Sequence, residues 1–487
     1  MSERIPCISE GCDHKILPAT AAKTGGYCMP CKQEMEREAH QRYIEANRRD
    51  VNLYEGITDE VQILKIMHES RTYDELVRYV PYKYSMEQVY LSLSAEQQQE
   101  MKQYAMELIR SDDEDTGKDI LVYLVCYHDL PLTAEIPELL DRDIVYPAVL
   151  FKSASGETRD HLLQQVNTDE GNRNLILIML AFIGDDVVVQ QFWQWKQSPP
   201  EWTDKLYAAP DAYALQAGWE LTEEGQRREL FMTPSYSLYE AGESNAARSE
   251  SDNLAGDLVS LLAPSFYHCP WCSNPIVSLM NLHVKHPSLQ SVHWNSPQLD
   301  VQTCLICSCY GVVYMEMDST GNPVWSKHNV KPDGFDELDI EEMKLDISGL
   351  VSRTLDYAGA EEGESLAQIG IEEGEQEQGW QQGKEQESVQ EQKQKQKQVQ
   401  RRSFCIAPEP RRPFHGSEWA MEPSLSQVGG HPGWVQDADY PECPACSTTM
   451  KALGQLDGEL IQEHGEGVYY MFACEPCQMT AVSYQQS

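Results

Sequence analysis

Between about residues 57 and 235, apolar positions recur at the three-and-four spacing of a helix face, interrupted by short polar breaks. Helices are expected at 96–109, 118–127 and 134–140. Ser94, followed three residues on by Gln97, has the form of a capping box for the first of these. Residues 174–183 are apolar nearly all round, which suits a helix buried between neighbours. Gly184-Asp185-Asp186 then turns the chain into a further helix at 187–195. Upstream, residues 32–50 (KQEMEREAHQRYIEANRRD) contain no Pro or Gly, are rich in strong helix formers, and carry mixed charges that pair along a helix face. Near the C-terminus the pattern changes: 450–456 and 468–473 read as strands.

Between these patterned stretches the composition marks boundaries. Residues 236–256 are polar and read as a linker. Residues 356–402 are acidic and Gln-rich with no apolar pattern, which predicts a disordered insert. That insert ends in a locally basic tract (Lys393, Lys395, Lys397, Arg401, Arg402), read as solvated linker in preference to an RNA-binding tail. The helices of 57–235, short and joined in antiparallel fashion, are compatible with an irregular HEAT-like array or with a plain bundle. No strict repeat period decides between the two.

Cysteine placement changes the picture most. Twelve of the fifteen cysteines fall into three quartets: Cys7, Cys12, Cys28 and Cys31; Cys269, Cys272, Cys304 and Cys307; Cys443, Cys446, Cys474 and Cys477. A Cys-x2-Cys pair lets two thiolates reach one ion from a single turn, and two pairs complete the tetrahedral shell of a structural Zn²⁺. About three structural zinc ions are therefore expected. In the first quartet, Cys7-x4-Cys12 is a wide pair and His14 is an alternative to Cys12. Cys309 is an alternative to Cys307. His283, His286 and His293 are nearby but not needed. A thioredoxin-like redox pair at Cys28-x2-Cys31 is disfavoured by the second pair upstream. Of the three remaining cysteines, Cys126 sits in an apolar stretch and reads as core.

The fold class expected is multidomain α + β. A zinc knuckle plus helix occupies 1–50, an α-helical array 57–235 and a linker 236–256. A β-rich zinc-ribbon region at 257–355, the insert at 356–402 and a second ribbon module at 403–487 complete the chain. The second quartet half-echoes the third, since residues 268–284 parallel 442–458, and this predicts a duplicated ribbon.

With 38 basic and 78 acidic residues, the net charge of −40 repels phosphate backbones and anionic lipids and attracts basic partners. The zinc-bearing ends are not exceptions. Residues 1–50 hold eight basic and eight acidic residues, and residues 403–487 hold three and eleven. Nucleic acid is thus an unfavoured partner, and a basic protein is the favoured one. No apolar signal core opens the chain and no run is long enough to span a bilayer, so a cytoplasmic location with reduced thiols is expected.

One stretch carries a resemblance. Gly429-Gly430-x-Pro432-x-Trp434-x-Gln436, then Cys-x2-Cys, Gln455-x-Asp457, and a Tyr-x-Phe strand leading into Cys-x2-Cys together resemble the YwqG-like proteins, the bacterial domain of unknown function 1963. The order is also similar, more distantly, to that of the programmed-cell-death-2-like proteins. The likeness is specific over 425–487 and extends with gaps back to about 265. It implies a β-rich fold; the bacterial family has no settled activity, and many of its members lack these cysteine pairs. The eukaryotic proteins are associated with escorting a nascent ribosomal protein, which implies a peptide-binding use. Trp434 is read either as part of a groove for a partner segment or as a core residue, and Gln455 likewise as a ligand contact or a core hydrogen bond.

Catalytic signatures fail. His464-x-Glu466 ahead of Cys474-x2-Cys477 is similar to the zinc deaminase motif, but the gap is too short, the preceding Pro is missing, and Cys443 and Cys446 fill the shell. No phosphate loop, nucleophile elbow or H-E-x-x-H helix occurs. The expected function is a non-enzymatic, zinc-binding protein-interaction module that holds or neutralises a basic polypeptide, in the manner of an immunity protein or chaperone. The alternative is an enzyme with a site in the β-rich part.

Overall fold

In the computed structural model, which describes residues 4–111, 113–241, 259–285, 289, 292–332, 335, 403–407, 409–418, 425–461 and 465–486, the chain packs as two units, 1–103 and 104–487. The expected insert at 356–402 and most of the linker at 236–256 lie outside the described residues.

In the first unit, β1 (Ile5–Pro6) pairs antiparallel with β2 (Lys15–Ile16), followed by α1 (Pro18–Thr24) and α2 (Met29–Asn47). The helix expected at 32–50 starts earlier, because Cys28 caps it and Pro30 sits in its first turn, where a missing N–H costs nothing. It also stops earlier: Arg49–Val51 forms β3, which pairs in parallel with β4 (Val77–Tyr79). No residue of α2 is buried, so charge pairs such as Lys32–Glu36 (3.5 Å) and Arg37–Glu34 support it. Then come α3 (Glu60–His68), α4 (Met86–Leu91) and α5 (Ala95–Arg110). The Ser94 hydroxyl accepts from Gln97 N (3.3 Å) and Gln97 Oε1 accepts from Ser94 N (3.0 Å), completing the capping box at the start of α5. The stretch 57–235, expected as one array, is divided: the boundary between units falls inside α5.

The second unit begins with α6 (Glu114–His128), α7 (Ile136–Asp141), α8 (Gly156–Gln165), α9 (Arg173–Ile183) and α10 (Asp186–Gln197). Helix α9 buries Ile176, Leu177, Met179, Leu180 and Ala181, as its all-round apolar face predicts. It ends on Gly184 at φ 49°, and the Asp185 carboxylate then accepts from Val188 N (3.0 Å) to cap α10.

The array is not helical to its end. β5 (Trp219–Leu221) and β6 (Arg227–Glu229) form a hairpin, and β7 (Tyr236–Ala241) occupies the first residues of the expected linker. Alternation explains the correction: Tyr236 and Leu238 are buried on either side of half-exposed Ser237, a strand pattern too short to stand out among polar neighbours. The remaining strands are β8 (Val259–His268), β9 (Pro275–His283), β10 (Gln298–Thr303), β11 (Val313–Met317), β12 (Pro323–Trp325), β13 (Ser403–Ile406), β14 (Gln427–Val428), β15 (Lys451–Asp457), β16 (Val468–Cys474) and β17 (Met479–Gln485).

Strands β10-β9-β8 make a three-stranded sheet, and β12-β11-β17-β16-β15-β14-β7-β13 make an eight-stranded one. All neighbours in both are antiparallel. Strand β16 is buried at every position, which is why its sequence, VYYMFAC, lacks a polar face. Its residues nevertheless alternate between two cores. Tyr469, Met471 and Ala473 pack with Leu279, Leu282, Leu299 and Val301 of the smaller sheet. Tyr470, Phe472 and Cys474 pack with Leu230, Phe231, Trp434 and Tyr440 on the other side. The regions 257–355 and 403–487, expected as separate modules, therefore share one sheet: β11 pairs with β17, Val313 opposite Val482 and Tyr314 opposite Ala481. The helices join through residues 409–418. Tyr127 stacks on His415 (centroids 4.0 Å apart), Phe182 packs against Phe414, and Cys126 lies buried 3.6 Å from the Ser417 hydroxyl.

Candidate metal centres

Each quartet assembles from the elements just described. In all three, the four sulfurs lie within 4.8 Å of one another, and the described cysteines form no disulfide. Measured separations include 3.7 Å for Cys12–Cys28, 3.4 Å for Cys269–Cys307, 3.3 Å for Cys272–Cys304 and 3.6 Å for Cys446–Cys474. A tetrahedron of sulfurs at a Zn–S distance of about 2.3 Å has edges of about 3.8 Å. The donor sets thus have the size and chemistry of a metal shell.

The first centre is built around a helix start. Cys28 caps α2 and Cys31 lies in its first turn, where unsatisfied N–H groups favour negative charge. The chain reverses at Gly25 and Gly26 to bring Cys28 N to 3.1 Å from Cys7 Sγ. That backbone donor, the largest influence on Cys7, holds its thiol down to about 7 against the opposing effect of burial. His14 Nδ1 stands 3.4 Å from Cys12 Sγ, beside the quartet and not in place of Cys12.

The second and third centres share a construction. Cys269 N donates to Asn274 O (2.8 Å) and Ser273 N donates back to Cys269 O (2.9 Å). In the same way Cys443 N donates to Thr448 O (2.9 Å) and Ser447 N to Cys443 O (2.8 Å). Ser273 and Ser447, each directly after the second cysteine, both take the left-handed conformation, at φ 59° and 58°. Each turn feeds a hairpin, β9–β10 or β15–β16, that runs into the closing pair, followed by β11 or β17. The two centres thus repeat the same order of turn, hairpin, closing pair and strand, with the same backbone hydrogen bonds at the first pair. The copies differ in cover. All of Cys269, Cys272, Cys304 and Cys307 are buried, with Trp271, Trp325 and Phe335 packed against them, whereas Cys446 is exposed and Cys477 half-buried.

Cys309 is not in the second quartet. Its thiol donates to Leu305 O (3.2 Å) and lies 3.8 Å from the Tyr469 hydroxyl. His283 is also apart, its Nδ1 accepting from Lys285 N. His286 and His464 lie outside the described residues.

The thiols constrain one another electrostatically. Burial raises Cys446, but the Thr448 hydroxyl and N–H, with Cys477 and Cys474, bring it down to about 6. Burial, then Cys446 and Cys443, push Cys477 up to about 11. In the second centre, Cys269, Cys304 and Cys307 drive Cys272 far down, while Cys269 and Cys272 drive Cys304 far up. Four thiols this close cannot all ionise alone, and a divalent cation is what lets them do so.

The Gly-Gly-x-Pro-x-Trp segment is buried from Ser426 to Trp434 without regular structure beyond β14. Its backbone groups find partners elsewhere. Gly429 N donates to Leu453 O (2.8 Å), Gly430 N to Met232 O (2.7 Å) and His431 N to Pro413 O (2.7 Å). Gly429 and Gly430 have φ of 67° and 83°, and a Cβ on Gly429 would sit 2.5 Å from Pro234 O, so the turn needs glycine there. Gln455 closes the core: Oε1 accepts from Gly433 N (2.8 Å) and Nε2 donates to Leu425 O (2.7 Å). Trp434 is buried against Tyr440, Tyr470 and Phe472.

With this geometry in hand, the comparisons with known proteins are few. The chain is 34% identical over 491 residues to the uncharacterized protein YpfL of Salmonella typhimurium, and the match covers 100% of both chains. The chain belongs to the YpfL family. No family model matches it, and no solved structure matches it. A relative in this family supplies full-length agreement and no activity, so function rests on the sites themselves.

Sequence reasoning missed one feature. A cavity of about 220 Å³ lies beside Trp434, with Glu418, His431 and Tyr146 among its lining. These residues come from three separate stretches and share no motif, so only the tertiary fold reveals them. No helix among the described residues is long and apolar enough to cross a membrane.

Proposed function

We propose that the protein is a non-enzymatic zinc protein that holds a basic polypeptide, with three Zn²⁺ ions fixing its architecture. The observation that carries the metal part is the three compact all-sulfur sets. Sulfur-only tetrahedral sets favour Zn²⁺ or iron–sulfur chemistry. The tight turns at Cys269–Ser273 and Cys443–Ser447, each closed by two backbone hydrogen bonds, favour a single ion. Four thiolates complete the shell of each ion and leave no position for a reacting water, so the metals serve structure and not catalysis. The part from about 265 to 487 is read as a YwqG-like module, supported by the Gly-Gly turn, the ribbon order and the aromatic strand in their shared sheet.

The partner reading rests on charge. A net charge of −40 raises the encounter rate with a cationic chain and disfavours nucleic acid. Affinity capture from lysate with the full-length protein, at low and moderate salt, tests it. The expected result is enrichment of a basic polypeptide that weakens as salt rises. Capture of acidic or neutral proteins only, or of none at either salt, would sink the reading.

A further inference from the structure

We propose that the cavity beside Trp434 is the pocket in which one lysine or arginine side chain of the bound polypeptide is anchored. This rests on the basic-partner reading above and names its contact point. At about 220 Å³ the cavity is smaller than the roughly 300–1,000 Å³ of sites for drug-sized ligands, so it fits a single side chain. Its walls combine the rings of Tyr146, Phe182 and Trp434 with the carboxylates of Glu418 and Asp437, and among the described residues no lysine or arginine lines it. Tyr146, 62% exposed, marks the open side.

Two observations point to a cation. Glu418, half-buried, lines this open-mouthed cavity, and among the described residues no side chain of opposite charge pairs with it. Burial alone raises its carboxyl to about 7. A carboxylate whose charged form burial disfavours gains from a positive charge placed beside it. The one basic group in the wall among the described residues, His431, is neutral: burial lowers it to about 4, and its Nε2 lies 3.0 Å from Gln216 O. Lys152, in the neighbouring helical layer, is already engaged by Asp129. An ammonium or guanidinium entering past Tyr146 meets the Glu418 carboxylate in an aromatic-walled space, where both ion pairing and cation–π attraction act.

The test uses the full-length zinc-loaded protein and three probes: Nα-acetyl-lysine amide, Nα-acetyl-arginine amide and the uncharged Nα-acetyl-norleucine amide. Calorimetric titration and thermal melts are read on wild type, Glu418→Gln and Tyr146→Ala. Binding of a cationic amide at millimolar concentration is expected, with no binding of norleucine amide, and Glu418→Gln should weaken it about tenfold or more. Tyr146→Ala, at an exposed position, is expected to fold normally and weaken binding less. Glu418→Gln should also melt higher than wild type at pH 8, since it removes a charge that burial disfavours. Norleucine amide binding as tightly as lysine amide would overturn the assignment. So would equal affinity in wild type and Glu418→Gln, tighter binding of free putrescine than of either amide, or no binding. In affinity capture, failure of wild type to enrich any basic polypeptide sinks the partner reading. Equal enrichment by wild type and Glu418→Gln sinks only the pocket.

Discussion

At the residue scale, the positions that sequence made legible are those whose chemistry needs a fixed spacing. Twelve cysteines announce themselves because a tight turn must present two thiolates together, and the structure gathers the same twelve into three sets. His431 and Glu418 are the contrary case, since their neighbours come from remote segments and their unusual environments exist only after folding. His431 yields a prediction with a definite sign. Its folded value of about 4 lies below the ordinary 6.5 because burial disfavours the imidazolium. The unfolded chain therefore binds the proton more tightly, and stability is present in full above about pH 6.5 and lost as the pH falls towards about 4. The loss approaches about 3 kcal/mol, since each tenfold difference in proton affinity between the folded and unfolded chain is worth roughly 1.4 kcal/mol. Urea melts at several pH values should show His431→Gln losing less stability than wild type across this window. Thiolate protonation affects both chains alike, so the difference isolates His431; parallel curves would refute the argument.

At the scale of elements, helices were legible wherever the apolar stripe was wide or the cap explicit. The capping box at Ser94 and the turn at Gly184 to Asp186 placed α5 and α10 to within a few residues. The strand β7 was hidden because a six-residue alternation means little without its partners, β13 and β14, the first of which is some 160 residues away in sequence. Likewise the expected border between two β-rich modules vanished in the pairing of β11 with β17. That pairing makes the third knuckle, which joins the end of β16 to the start of β17, a structural tie for the large sheet. A Cys474→Ser, Cys477→Ser double variant is therefore expected to lose one metal ion and most of the cooperativity of the second unit. Structural zinc is typically worth about 10–16 kcal/mol of coupled folding free energy. Near-ultraviolet circular dichroism and calorimetry would register the change, and an unaltered melt would contradict this role.

For the whole molecule, what sequence conveyed was a class: helices, a large β-rich part, and cysteine sets able to hold metal. What it left open was how the parts divide. The two units divide between residues 103 and 104, inside a continuous helix, and no composition shift marks the place. The −40 charge and the three sulfur quartets are properties of the entire chain, and the proposal of a metal-stabilised scaffold for a cationic partner rests on the two together. The proposed metal content is the most basic of these points, because on this account the knuckles and the large sheet fold around the ions. Elemental analysis of protein purified without chelator measures it directly. Three zinc ions per chain are expected, one for each quartet. One ion or none, or iron in place of zinc, would contradict the assignment.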